Sequence, residues 1–181
     1  MSQDAKWIET IVRDFINKSP ENTLKDRNNE RAWADPLIGF SSGDDSLYQE
    51  FKDHIGPFYW TPDEIFNKTF PQKNAESHEL TIISWILPQT GQTKSDNRKE
   101  TEYPSERWAR ARVYGEEVNE KLRKHVEEQL TQGGIDVVAP MLSPLWGRRD
   151  SDSYGFASNW SERHTAFASG LGTFGLCDGL I

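Results

Sequence analysis

The chain holds one cysteine, Cys177, among its 181 residues. It forms no internal disulfide, and it cannot supply the four thiolates that a cubane iron–sulfur cluster normally takes. Histidine is almost as scarce: His54, His78, His125 and His164 are scattered, none at the spacing of a zinc-binding helix. No phosphate loop of the Walker type and no Ser-His-Asp signature occurs. Apolar runs are short, and none approaches the ~18 residues that cross a bilayer. The opening Met1-Ser2-Gln3-Asp4-Ala5-Lys6 lacks the basic and apolar regions of a secretory leader. An excess of positive charge is missing too. A net charge of -8 speaks against non-specific binding to a nucleic-acid backbone, which needs a basic surface. Two local basic groups remain, Arg107, Arg110 and Arg112 in one and Arg148 and Arg149 in the other. Together these absences lead us to expect a cytoplasmic protein with no membrane association.

What is present fits one domain over residues 1–181. Seven Trp and nine Phe supply much of the core, because each aromatic carries a large apolar area. Trp7, Ile8, Ile11, Val12, Phe15 and Ile16 fall at helical spacing and predict a helix over 5–17. Residues 19–34 are polar and read as loop, and 36–40 as a short extended piece. Gly43-Asp44-Asp45-Ser46 is a turn or cap leading into a helix through Leu47, Phe51 and Ile55. Thr61-Pro62-Asp63-Glu64 is a helix start, with a cap, an early proline and acids at the positive end. The β-branched run 80–87 predicts a central strand, and 89–102 a mobile polar loop. Ala111, Tyr114, Val118, Leu122, Val126 and Leu130 line one face of a long helix capped by Ser105 and ended by Gly133-Gly134. Residues 135–139 read as a second strand, and 141–160 as irregular chain. The expected class is α+β, an α/β sandwich in which runs 80–87, 135–139 and 176–181 share one sheet against the long helix.

The richest segment is the last. Ser161-Glu162-Arg163-His164 begins a short helix, with Ser161 placed to accept its first free N–H groups. Gly170 sits where helices end in a left-handed residue. Gly172 and Gly175 let backbone come close to something flat or bulky. The chain stops on apolar Gly179-Leu180-Ile181, so we expect it to be the front portion of a longer protein, with a sheet incomplete at its C-terminus and an apolar edge prone to self-association.

This segment, with Gly170-Leu171-Gly172-Thr173-Phe174-Gly175-Leu176 at its heart, resembles the epoxyqueuosine reductase family and its anaerobe-type relatives, which are cobalamin-dependent iron–sulfur reductases related to reductive dehalogenases. The likeness extends to Tyr103-Pro104-Ser105-Glu106-Arg107-Trp108-Ala109-Arg110 and to Val138-Ala139-Pro140-Met141-Leu142-Ser143-Pro144. It runs more loosely through Gly39-Phe40 to Asp45 and through Gly56-Pro57-Phe58-Tyr59-Trp60-Thr61-Pro62, in order along the chain. The resemblance implies a nitroreductase-like cobalamin-binding core with a mixed sheet flanked by helices. It implies an oxidoreductase acting on a small molecule or modified nucleoside, fed by a ferredoxin-like electron donor. In that family the 4Fe-4S clusters sit in a downstream ferredoxin-like domain, absent from this sequence, so the chain alone is expected to be inactive. The alternatives are a flavin- or other cofactor-binding module of similar architecture, and a non-catalytic interaction domain.

The resemblance assigns cofactor contact to Gly170, Leu171, Gly172, Thr173 and Gly175. The competing reading is that these glycines only end a helix and admit a sheet contact. The family's acid, an Asp shortly before the residue matching Glu162, has no counterpart at Phe156-Ala157-Ser158, so the substrate is not expected to be epoxyqueuosine. The nearest proton donors are Asp152 and Tyr154, and a tyrosine already carries its proton near neutral pH. His164 reads as a packed or capping residue and Cys177 as an inert thiol with no cationic neighbour to activate it. No metal ligand set is assigned.

Overall fold

The computed structural model describes residues 3–176, 179 and 180. Helices α1 (Gln3–Lys18), α2 (Ser46–Ile55), α3 (Pro62–Thr69), α4 (Gly91–Asn97), α5 (Glu106–Gln132) and α6 (Glu162–Ala168) are joined by strands β1 (Leu37–Ser42), β2 (Thr81–Ile86), β3 (Arg148–Ser151) and β4 (Gly155–Ser158). The class is α+β. Among the described residues the strands form two separate pairs, β1 with β2 and β3 with β4. No helix among them is long and apolar enough to cross a membrane.

The chain folds as two compact units, one of residues 1–37 and 86–135 and the other of residues 38–85 and 136–181. In the first, α1 and α4 both pack against α5. Ile8, Ile11, Val12 and Ile16 of α1 and Val118, Leu122, Val126 and Leu130 of α5 are buried at helical spacing. Each such side chain contributes roughly 1.5–3 kcal/mol by leaving water. Ser105 caps α5, its hydroxyl accepting the Trp108 N–H at 3.3 Å. The polar stretch between α1 and β1 is fixed by a buried Asn22, whose amide donates to the Ile16 and Trp33 carbonyls and accepts the Trp33 N–H. Trp33 then lies on α5 at Gly115, donating from Nε1 to the Gly115 carbonyl at 3.1 Å.

The second unit has an aromatic core. Tyr48, Phe51 and Ile55 of α2 join Tyr59, Trp60, Ile65 and Trp160. The rings of Tyr48 and Tyr59 lie nearly parallel to Trp160, each at 9°, with centroids 6.4 and 6.5 Å away. Asp45 caps α2 by accepting the Leu47 N–H at 3.0 Å. Glu64 closes the start of α3 by accepting the Thr61 N–H at 3.0 Å. Helix α6 packs against α2.

Three expectations need correction. Residues 135–139 form no strand. The Ile135 N–H bonds to the Leu130 carbonyl and closes α5, and Val138 reaches the aromatic core from irregular chain. Among the described residues the expected single sheet is therefore not formed: run 135–139 contributes no strand, and run 80–87 forms β2, paired with β1. Of run 176–181, residues 177, 178 and 181 lie outside the described residues, and Leu180 makes an isolated antiparallel bridge with Phe174. Second, the polar stretch 89–102 contains α4. Thr90 caps it by accepting the Thr93 N–H at 3.2 Å, Thr93 is fully buried, and Asn97 accepts the Ser105 N–H at 2.9 Å. Packing on α5 makes a helix where composition favours loop. Third, 148–158 is an antiparallel hairpin with Ser151 opposite Gly155.

Candidate functional site

The glycine segment begins where α6 ends. The Gly170 N–H bonds to the Phe167 carbonyl and the Leu171 N–H to the Ala166 carbonyl, both at 2.9 Å. Gly170 has φ +70°. This is a Schellman cap with glycine in its left-handed position, as the sequence indicates. A Cβ on Gly170 would meet no atom within 4 Å, so the residue opens onto free space. Leu171 turns inward. A Cβ on Gly39 of β1 would lie 2.7 Å from the Ser169 carbonyl oxygen and 2.9 Å from Leu171 Cγ. Gly39 therefore lets the end of α6 rest on β1. Thr173 is exposed, and Gly172 and Gly175 are half-buried. The Gly175 N–H bonds to the Gly179 carbonyl at 2.9 Å.

Beneath this loop lies a chain of hydroxyls. Ser169 Oγ lies within hydrogen-bond distance of two hydroxyls, Ser41 at 3.3 Å and the buried Ser84 at 3.2 Å. Ser41 pairs with the Tyr48 hydroxyl at 2.7 Å. Burial pushes the Tyr48 pKa up to about 12, against the opposing effect of the Ser41 hydrogen bond. The Tyr59 hydroxyl is buried without a hydrogen bond of good geometry. Burial raises its pKa too, opposed by the Ser161 backbone.

At the start of α6 the Ser161 hydroxyl does not cap the helix. It pairs instead with His164 Nδ1 at 2.8 Å. His164 is half-buried among Phe51 and Phe174, with ring centroids 4.8 and 4.9 Å away, and so is a packed residue. Asp152 and Tyr154 occupy the tip of the β3–β4 hairpin, and both are exposed. That tip is anchored on the end of α2. The Tyr154 N–H donates to Ser151 Oγ at 3.2 Å, and Ser151 donates to the Ile55 carbonyl at the end of α2 at 2.5 Å. The structure thus brings Gly170 to Gly175 together on one loop, but holds the two proposed proton donors on a different support. Cys177 lies outside the described residues. Among the described residues no cluster of three His, Cys, Asp or Glu side chains could hold a metal ion.

The basic group on α5 is largely neutralised. Arg107 pairs with Glu30 and, at 2.8 Å, with Asp96; Arg110 pairs with Glu106 at 2.8 Å. The Arg107 guanidinium holds the Glu30 carboxyl below its ordinary pKa. Arg149 stands differently. It lines a groove of about 580 Å³ with Lys52, Glu64 and Lys68, over Phe58 and Trp60. Sequence reasoning singled out the arginine pair and missed the lysines, which lie on α2 and α3 far away in the chain.

No protein-family model, curated protein or solved structure matches this chain.

Proposed function

We propose that this chain binds cobalamin as part of an oxidoreductase like the epoxyqueuosine reductases, and that the loop after α6 contacts the cofactor. The observation that carries the reading is the coincidence of two things on one segment. The strongest sequence resemblance falls on 161–176, and there a capped helix ends in a left-handed glycine that opens onto free space. The residues fit a flat group to this extent: Gly170 offers backbone with no side chain, and Thr173 offers an exposed hydroxyl. Leu171 supports the loop from within, through its contact at Gly39.

Bound cobalamin would supply the reducing chemistry, as cofactors do in general. The protein's share is placement of the ring by the 170–175 backbone and delivery of a proton. Asp152 and Tyr154, both exposed at the hairpin tip, are the candidate proton donors. Electrons come from a ferredoxin-like iron–sulfur module or partner, because one cysteine cannot complete a four-iron cluster. The substrate is a small molecule or modified nucleoside, and the setting is cytoplasmic.

Titration of the protein with hydroxocobalamin, followed by corrin absorbance and equilibrium dialysis, tests this. Saturable binding is expected, weakened about tenfold or more by Thr173→Trp, which fills the approach to the loop from an exposed position. FMN serves as the second arm. Absence of saturable corrin binding, binding indifferent to Thr173→Trp, or saturable binding of FMN alone would overturn the reading.

A further inference from the structure

We infer that the groove between α2, α3 and β3 is a second binding site, independent of the glycine loop, for a small molecule that joins a flat ring to a dianionic phosphate. Its volume of about 580 Å³ lies within the range typical of small-molecule pockets, ~300–1,000 Å³. The basic side chains Lys52, Lys68 and Arg149 face one carboxylate, Glu64. Glu64 is already committed. It pairs with Lys52 and accepts the Thr61 N–H that starts α3. Among the described residues Lys68 and Arg149 have no carboxylate partner, in a molecule whose net charge is -8. Two unpaired cations beside a neutralised ion pair make a local field opposite in sign to that of the whole protein.

Arg149 is also held in place. Its Nη1 donates to the Arg148 carbonyl at 2.8 Å, and it folds over Gly147, where a Cβ would come within 2.9 Å of Nη1. A planar guanidinium fixed in this way, with a lysine nearby, suits the oxygens of a phosphate. The floor supplies the other half of the recognition. Phe58 and Trp60 line it, and Leu145 stands at the rim. Asn159 fixes that rim by donating to the Leu145 carbonyl at 2.9 Å and accepting the Gly147 N–H at 3.0 Å. Aromatic side chains beside unpaired cations favour a ring that carries its own charge over either a bare anion or a neutral ring.

The experiment is calorimetric titration with 1-naphthyl phosphate, 1-naphthol and inorganic phosphate. We expect saturable binding of 1-naphthyl phosphate, at least tenfold tighter than either half alone. Lys68→Gln and Arg149→Gln, both at exposed positions, should each weaken it about tenfold. Arg148→Gln is the matched control, because that guanidinium lies over the Phe156 ring at 5.0 Å and does not line the groove. It should leave binding unchanged, and near-UV circular dichroism of all three variants should match the parent. Equal affinity for naphthol and naphthyl phosphate, no saturable binding, or equal losses in all three variants would each overturn the assignment.

Discussion

Trp33 and Gly115 fit each other so closely that neither tolerates added bulk. A Cβ on Gly115 would lie 2.6 and 2.7 Å from Trp33 Cε2 and Nε1, and the same glycine's carbonyl accepts the indole N–H. The Trp33 ring therefore has no freedom to retreat without losing its hydrogen bond. Gly115→Ala should destabilise the protein by about 1–3 kcal/mol through overpacking, read as a lower urea midpoint at unchanged slope. The tyrosines of the second unit make a prediction about pH. Tyr48 ionises near 12 in the folded protein and near 10 in the unfolded chain. Above pH 10 the unfolded state loses this proton first, so the Tyr48 contribution to stability is flat below that point and falls as pH rises towards 12. The contribution is about 2–3 kcal/mol by pH 12. Tyr48→Phe should remove this part of the alkaline slope in equilibrium unfolding measured between pH 9 and 12. An unchanged slope would show that Tyr48 titrates normally.

At the scale of elements, what could be read in the sequence followed from local chemistry. Asp45, Thr61-Pro62 and Ser105 mark helix starts, and Gly170 a helix end, because capping is decided within a few residues. What could not be read depended on neighbours distant in the chain. Helix α4 is polar and forms against α5, its buried Thr93 giving no apolar period to detect. Residues 135–139 have the composition of a strand but find no partner strand, and Val138 packs, half-buried, against the aromatic core without one. The β3–β4 hairpin was hidden because Arg148, Arg149 and Asp150 are all exposed and show no alternation. The candidate site divides in the same way. The glycine loop was legible as a local motif, whereas the groove draws Lys52, Lys68 and Arg149 from three separate elements. Gly170→Ala should cost about 1 kcal/mol, because the left-handed conformation disfavours a side chain although space is open. Thermal unfolding measures it. A neutral result would mean that the end of α6 relaxes into another cap.

For the whole molecule, charge and cofactor reading meet. A net charge of -8 keeps general surface binding of anions weak, so any anion held at low concentration must find a local cationic site. The groove at Arg149 is such a site, while Gly170 and Thr173, the exposed residues of the loop after α6, present backbone and a hydroxyl rather than charge. Ligand contact at these two places is thus separable. Corrin binding at the loop should depend little on salt, and binding at the groove should weaken as salt rises from 50 to 500 mM, roughly within the range over which exposed charges are screened. Calorimetry at the two salt concentrations distinguishes them. The central claim, cofactor contact on the segment after α6, is tested most directly by hydrogen exchange read by mass spectrometry, with and without hydroxocobalamin. Slowed exchange is expected in peptides covering 169–176, with peptides covering 105–132 of α5 unchanged. Unaltered exchange at 169–176 under saturating corrin, or protection confined to other segments, would contradict it.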